Sequence, residues 1–142
     1  MKVLKWILLG VTLAVTPAYG KDAGQWEDNP PEVREWFKSL KMADNPTASC
    51  CGEADGYWCD ELHVVDGKTY CTIDDDRDDE RLGRPHVPIG FKVLIPPNKL
   101  GYYPGNPTGH NIVFMAREAM QDGNQEVIVN YNVYCYVQGG GI

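Results

Sequence analysis

The sequence lacks the short motifs that identify many enzymes and metal proteins. It contains no C-x-x-C, H-x₃-H, H-E-x-x-H or G-x-S-x-G segment, and its only histidines are His63, His86 and His110. Neither an internal repeat nor an alternation of strands and helices occurs, which argues against solenoids and parallel α/β folds. No motif therefore commits the chain to a reaction.

Basic residues are also scarce. The 142 residues include 13 lysines and arginines against 20 aspartates and glutamates. Because an acidic chain repels nucleic acid and anionic lipid, neither is expected as a partner. Long apolar runs are rarer still, since only Trp6 to Val15 forms one and no other segment has the length of a membrane span.

The apolar run predicts a signal peptide at residues 1–20. Lys2 and Lys5 precede the run, and Ala18-Tyr19-Gly20 supplies small residues at the positions that a signal peptidase reads. We expect cleavage near Gly20, a periplasmic or secreted location, and no membrane span after cleavage. The cleaved chain has 11 basic and 20 acidic residues, a formal charge of −9. Residues 21–29 are expected to form a flexible N-terminus, and residues 30–142 a single disulfide-stabilised domain.

The five cysteines all follow the predicted cleavage site and should meet an oxidising compartment, where disulfides are the default. They are Cys50, Cys51, Cys59, Cys71 and Cys135. An odd number leaves at least one thiol unpaired or available for an intermolecular disulfide. The alternating valines of residues 126–137 place Cys135 on an apolar face. We therefore expect Cys135 to bridge to Cys50, Cys51 or Cys71.

Asp66-Gly67 is a strong signal for a two-residue hairpin turn between two apolar segments. Such a turn sets Val65 opposite Lys68. Extended along both strands, this register puts Cys59 and Cys71 on opposite faces of the sheet, where they cannot bond. A bulge or a three-residue loop would reverse that conclusion.

The remaining patterns predict one helix followed by short strands. Asn29-Pro30-Pro31 is typical of a helix start, and an apolar stripe with helical spacing follows it. Residues 116–124 fit either a short helix or a hairpin loop. We expect a mainly β fold, a small antiparallel barrel or curled sheet of about five short strands, with one N-terminal amphipathic helix and stabilising disulfides. The strands are expected at 57–65, at 68–73, within 87–96, at 111–115 and at 126–137.

Metal binding is a candidate function because His86 and His110 each lie in a segment rich in proline and glycine. Copper or zinc would suit such ligands. The acidic run Asp74 to Glu80 offers carboxylates to calcium but lacks the spacing of an EF-hand, so a solvated loop is the preferred interpretation. The favoured interpretation of the chain includes no cofactor.

Six tyrosines are candidates for a binding face. Exposed tyrosines give contact area at low entropic cost, whereas buried ones would only fill the second side of a barrel. We favour an exported, non-enzymatic binding or accessory domain with a protein, glycan or envelope partner. The alternatives are a periplasmic metal-binding protein that uses His86 and His110, and a small hydrolase with a Cys/His site. The candidate binding-face residues are Tyr57, Tyr70, Tyr102, Tyr103, Tyr134 and Tyr136.

Three segments carry a resemblance: Ser49-Cys50-Cys51-Gly52-Glu53-Ala54-Asp55, Gly105-Asn106-Pro107-Thr108-Gly109-His110 and Val133-Tyr134-Cys135-Tyr136-Val137. Together they resemble a group of small exported proteobacterial proteins of uncharacterised function. The resemblance covers the chain from about Trp36 onward and implies a mainly β domain held by cysteines, with no activity to transfer. Cys59 and Cys71 are additional to that pattern, which would make them a candidate pair.

Overall fold

The computed structural model describes residues 27–51, 55–122 and 125–140, so the predicted signal peptide lies outside the described residues. Within this part of the chain, no helix has both the length and the apolar character needed to cross a membrane. The elements are α1 (Pro31–Ser39), β1 (Asp55–Cys59), β2 (His63–Val65), β3 (Lys68–Thr72), β4 (Lys92–Leu94), a 3₁₀ turn (Pro97–Lys99), β5 (Asn111–Asp122) and β6 (Gln125–Val137).

The strands form two antiparallel sheets of three strands each, in the orders β1-β5-β6 and β2-β3-β4. Mainly β structure, one helix and a disulfide agree with the sequence prediction. The described strands form two open sheets, not the expected barrel or single curled sheet. The chain passes from β1 into β2, and Cys59 pairs with Ile73 where the two sheets meet.

The predicted hairpin turn is confirmed. Val65 pairs with Lys68, and Asp66 and Gly67 have φ angles of 50° and 73°, as a type I′ turn requires. Only glycine adopts such a φ without steric cost, and aspartate tolerates it better than most residues.

The register of the hairpin does not persist toward Cys59. Nearer the turn His63 pairs with Tyr70, but farther along Cys59 pairs with Ile73, so the two strands have slipped by one residue. One extra residue in 60–62 produces this slip. The prediction that Cys59 and Cys71 lie on opposite faces is therefore wrong, because a one-residue slip exchanges the faces of a strand.

β5 and β6 form a long hairpin, and residues 116–122, for which helix and loop were both considered, belong to β5. Their register shifts twice. At the first shift Phe114 pairs with Cys135 and Met115 with Val133, so Tyr134 is an extra residue on β6. This bulge turns Val133 and Cys135 to opposite faces although both follow the same valine alternation.

Two hydrophobic cores result, one on each face of the β1-β5-β6 sheet. The inter-sheet core lies between the two sheets, and the helix-side core lies between the β1-β5-β6 sheet and the segment that contains α1. The inter-sheet core contains Tyr57, Cys59, Cys71, Ile73, Val87, Val93, Ile95, Val113, Met115, Val133 and Tyr136. The helix-side core contains Leu40, Cys50, Ile112, Phe114, Cys135 and Val137.

α1 covers the helix-side core with one face. It begins after Pro30, which provides no side-chain cap, and no residue of α1 is fully buried. Trp36 and Phe37 pack against the core, and the Phe37 ring meets Phe114 edge-on at a centroid distance of 6.2 Å. The Cys50–Cys135 disulfide, with a Cα–Cα distance of 5.6 Å, fixes this segment to β6 and confirms one of the expected bridges.

Candidate functional site

The acidic loop predicted to be solvated contains a buried carboxylate. Asp75 is 6% exposed, and its carboxylate accepts a two-point contact from Arg77, with Nε 2.8 Å from Oδ1 and Nη2 2.6 Å from Oδ2. The backbone N–H of Trp58 donates to Oδ2 at 2.9 Å. The contact with Trp58 joins the loop to the edge of β1, so the loop position is fixed by the sheet.

Arg84 extends this network inward. Its side chain is 2% exposed, and Nη1 lies 2.9 Å from Asp75 Oδ2 and 2.6 Å from the carbonyl oxygen of Gly56. Its Nε donates to Asp79 Oδ1 at 2.5 Å, and its guanidinium carbon lies 4.3 Å from the centre of the Tyr57 ring. Nη2 is buried without a hydrogen-bond partner among the described residues.

His86 is the exposed end of the same network. Its Nδ1 lies 2.8 Å from Asp79 Oδ2, and its side chain is 75% exposed. The hydrogen bond to Asp79 orients the imidazole and leaves Nε2 free of the network. The chain of contacts from Asp75 through Arg84 and Asp79 therefore fixes one imidazole at the surface.

An aromatic stack adjoins the buried ion pairs. The imidazole of His110 stacks on the Trp58 indole at a centroid distance of 3.7 Å and an angle of 5°. The guanidinium carbon of Arg77 lies 4.0 Å from the centre of a Trp58 ring, which is cation–π geometry. Arg77 therefore links the stack to Asp75.

An open cavity of about 420 Å³ lies over this network. Asp76 and Glu80 are exposed, and neither forms an ion pair with another described residue. The cavity therefore combines a wall of paired charges with carboxylates that have no cationic partner among the described residues. We call this cavity the acidic cleft. It is lined by Asp75, Asp76, Arg77, Asp78, Asp79, Glu80, His86 and Ile89.

The arginines keep Asp75 ionised. Burial by itself would raise the pKa of Asp75, but hydrogen bonds from Arg77 and Arg84 outweigh burial and hold the pKa well below its usual range. The neighbouring Asp74 shows the opposite shift, because partial desolvation of this exposed residue and the nearby charge of Asp60 raise its pKa. Two adjacent carboxyl groups thus have pKa values shifted in opposite directions.

The two histidines chosen from the sequence take different positions. His86 belongs to the acidic cleft, whereas His110 stacks on Trp58 and is not among the residues that line the cleft. Within residues 27–51, 55–122 and 125–140, no group of three or more His, Cys, Asp or Glu side chains is placed to hold a metal ion. Two carboxylates of the acidic run, Asp75 and Asp79, already form ion pairs with arginines, which is unfavourable for a calcium site there.

The cysteines outside the disulfide are buried or half-buried. Cys59 and Cys71 belong to the inter-sheet core. The Cys51 thiol donates to the carbonyl oxygen of Phe37, with a sulfur–oxygen distance of 3.4 Å, and burial raises the pKa of Cys51 to about 12. A thiol with such a pKa is a poor nucleophile at neutral pH, which is unfavourable for the Cys/His hydrolase.

The tyrosines divide between core and surface. Tyr57 and Tyr136 are each 2% exposed, so the expectation of an exposed binding face is wrong for these two. The Tyr57 hydroxyl donates to the Pro85 carbonyl at 2.6 Å, and the half-buried Tyr103 donates to Lys41 at 2.8 Å. Tyr102 is 90% exposed, whereas Tyr70 and Tyr134 are half-buried.

Sequence reasoning missed Trp58, Arg84 and the burial of Asp75. The available signal was a basic residue between Gly83 and Pro85, because a turn that fixes Arg84 close to an acidic run favours ion pairs. A run of charged residues more often forms a solvated loop, and nothing in the run itself marks Asp75 as buried.

Comparisons of the chain with protein-family models, with curated proteins and with solved structures found no match. The interpretation of the acidic cleft therefore depends on its own geometry and charge.

Proposed function

We propose that the chain is an exported, non-enzymatic binding domain whose acidic cleft holds a basic segment of a protein partner in the cell envelope. The observation that carries this proposal is the combination in one cleft of a wall fixed by buried ion pairs and free carboxylates at Asp76 and Glu80. A site already ordered before binding loses little conformational entropy when it binds.

The charge of the chain supports a cationic ligand. Because Asp75 and Asp79 are neutralised by arginines, the unpaired carboxylates set the sign of the field in the cleft. The acidic composition extends this field and would speed the approach of a basic partner. Ile89, which is 64% exposed, offers an apolar contact to the alkyl part of a lysine or arginine side chain.

The lining of the cleft favours binding over catalysis. His86 is oriented as a general base would be, but the cleft residues given above include no serine, threonine, tyrosine or cysteine. Nucleophilic catalysis needs a hydroxyl or thiol within hydrogen-bond reach of the base. Binding requires no such group.

Calorimetry with a lysine-rich peptide of about eight residues tests the proposal. We expect the Asp76→Asn/Glu80→Gln variant to weaken binding about tenfold, because two free carboxylates are lost while the buried ion pairs remain. The Glu32→Gln/Glu35→Gln variant removes the same charge from α1 and should weaken binding less than twofold. Equal losses in the two variants, or no binding at low salt, would disprove a role for the cleft.

Export has a separate test. Expression of the whole chain in a Gram-negative host should give a mature protein that begins at Lys21 in the periplasmic fraction. Intact mass and N-terminal sequencing measure both properties. An uncleaved protein in the cytosolic fraction would contradict the export part of the proposal.

Metal binding by His86 is the second candidate, because the Asp79–His86 hydrogen bond is of the kind that orients metal-ligating imidazoles. If this function is correct, equimolar zinc or copper raises the melting temperature of the protein and the His86→Ala variant abolishes the rise. His110→Ala is the control and should leave the rise unchanged, because His110 stacks on Trp58 and does not line the acidic cleft. The absence of a shift with either metal would eliminate this candidate.

A further inference from the structure

We propose that Cys59 and Cys71 form a second disulfide, which fastens the two sheets together and leaves Cys51 as the odd thiol. This inference does not depend on the function of the acidic cleft.

The strand register brings the two cysteines together. Cys59 pairs with Ile73, and residues directly opposite in an antiparallel pair point to the same face. Cys71 precedes Ile73 by two residues and therefore shares that face. Cys59 and Cys71 are thus diagonal neighbours across the strand pair, and both side chains enter the inter-sheet core.

The surroundings of the two thiols are those of a structural disulfide. Cys59 is 3% exposed and Cys71 is fully buried. The two thiols are in hydrogen-bonding contact, and this contact, together with burial, raises the pKa of Cys59 far above its ordinary value. Buried thiols of high pKa exchange slowly, so oxidation must occur while the chain folds, before the inter-sheet core closes.

The oxidation is a two-electron exchange with a disulfide compound such as oxidised glutathione. The Cys59 thiolate attacks the oxidant, forms a mixed disulfide and releases one thiol. Cys71 then attacks the Cys59 sulfur, which releases the second thiol and closes the protein disulfide. The two cysteine protons end on the two released thiols, and the cysteine pair loses the two electrons that the oxidant gains.

The second disulfide would act at the junction of the two sheets, where backbone hydrogen bonds join residues 58–60 to residues 72–74. Asp60 donates its N–H to the Thr72 carbonyl at 2.9 Å, and Asp74 donates to the Trp58 carbonyl at 3.3 Å. A bond between Cys59 and Cys71 would fasten this junction covalently. The first disulfide, by contrast, holds the opposite face of the β1-β5-β6 sheet.

Thiol counting tests the proposal. The protein is reduced and unfolded, refolded with oxidised glutathione, then unfolded again without reductant in N-ethylmaleimide and weighed. We expect one label, on Cys51. Digestion at Glu53 and at Lys68 separates Cys59 from Cys51 and from Cys71, so a linked peptide pair identifies the bridge.

Two variants complete the test. Cys51→Ala should take no label, and Cys59→Ala/Cys71→Ala should take one while keeping the Cys50–Cys135 bridge. Three labels on the wild-type protein, or a bridge from Cys51 to either Cys59 or Cys71, would overturn the proposal. The measurement on the wild-type protein decides the question even if a variant does not fold.

Discussion

The two cores on either face of the β1-β5-β6 sheet are closed in different ways. The inter-sheet core is large, and both of its walls are sheets. The helix-side core has six fully buried members, and its outer wall is a segment whose only helix contributes none of them. Cys50 and Cys135, two of those six, form the disulfide.

This difference indicates that the helix-side core depends more on its disulfide than the inter-sheet core would depend on the proposed Cys59–Cys71 bridge. Apolar burial scales with the area removed from water, so the inter-sheet core can hold its two sheets together by packing. Trp36 and Phe37 cover the helix-side core only partly, and α1 is too short to be stable alone. We infer that the Cys50–Cys135 disulfide compensates for this weaker wall.

Removal of the Cys50–Cys135 disulfide should have the largest effect on the free energy of unfolding. Cys50→Ala/Cys135→Ala is expected to lower the free energy of unfolding by about 4 kcal/mol, because the bridge closes a loop across a separation of 85 residues. Urea denaturation measures the loss. Hydrogen exchange should show α1 losing protection before β3.

That result would show that the two cores differ in how much they depend on the Cys50–Cys135 disulfide. If α1 and β3 lose protection together and to the same extent, the helix-side core does not depend on the disulfide more than the inter-sheet core does, and the comparison fails.

Truncation of a side chain in the inter-sheet core should cause the next largest loss of stability. Ile73→Ala removes a side chain that is 1% exposed and should cost about 3 kcal/mol, from lost burial and the cavity that remains. Ile89→Ala is the matched control at 64% exposure and should cost less than about 0.5 kcal/mol. In the Cys50→Ala/Cys135→Ala variant, the loss of stability from Ile73→Ala should be unchanged within about 0.5 kcal/mol if the cores are independent.

Loss of a buried ion pair at the margin of the inter-sheet core should lower the stability somewhat less than Ile73→Ala does. Arg84→Met is expected to cost about 2 to 3 kcal/mol, because Asp79 loses its arginine while Asp75 keeps Arg77. Arg77→Met should cost about 1 kcal/mol, since its side chain is 24% exposed and Arg84 remains. Urea denaturation of both variants measures the difference. Equal losses would show that burial does not distinguish the two arginines.

Local sequence signals predicted the local structure well. Asp66-Gly67 identified its turn because the φ angles of a two-residue hairpin restrict the residue types. The apolar alternation around Cys135 identified its burial, and with it one of the possible bridges. The slip in residues 60–62 leaves no trace in such an alternation, so the face of Cys59 relative to Cys71 was predicted wrongly. Tyr136 does lie on the face opposite Cys135, but the second sheet covers that face, so its exposure was predicted wrongly.

The acidic cleft was harder to predict than the turn, for a physical reason. Asp75 becomes buried only because Arg77 and Arg84 neutralise it, and Arg84 reaches it from nine residues farther along the chain. Composition cannot show which acid of the run gains both partners. His86 was chosen for its loop, but the hydrogen bond to Asp79 that orients it depends on the same tertiary contacts.

The ion pairs also predict a pH dependence. Because the folded pKa of Asp75 lies below its unfolded value of about 3.9, its stabilisation is present above pH 4 and is lost as the pH falls toward the folded pKa. A single carboxyl contributes at most about 1.4 kcal/mol per pH unit. Asp75→Asn should flatten the urea-denaturation profile between pH 4 and pH 2. An unchanged slope would show that Asp75 is not the titrating group.

Asp74 is the matched control and should have the smallest effect, with the opposite sign. Its pKa is raised in the fold, so its contribution to stability is present at low pH and is lost as the pH rises through the folded pKa. Asp74→Asn should therefore stabilise the protein at pH 7, by less than about 0.5 kcal/mol because the residue is exposed, and change nothing at pH 2. Urea denaturation at both pH values checks this. Destabilisation at pH 7 would mean that the ionised carboxylate helps to hold the sheet junction, and the contrast between the two neighbouring aspartates would then be lost.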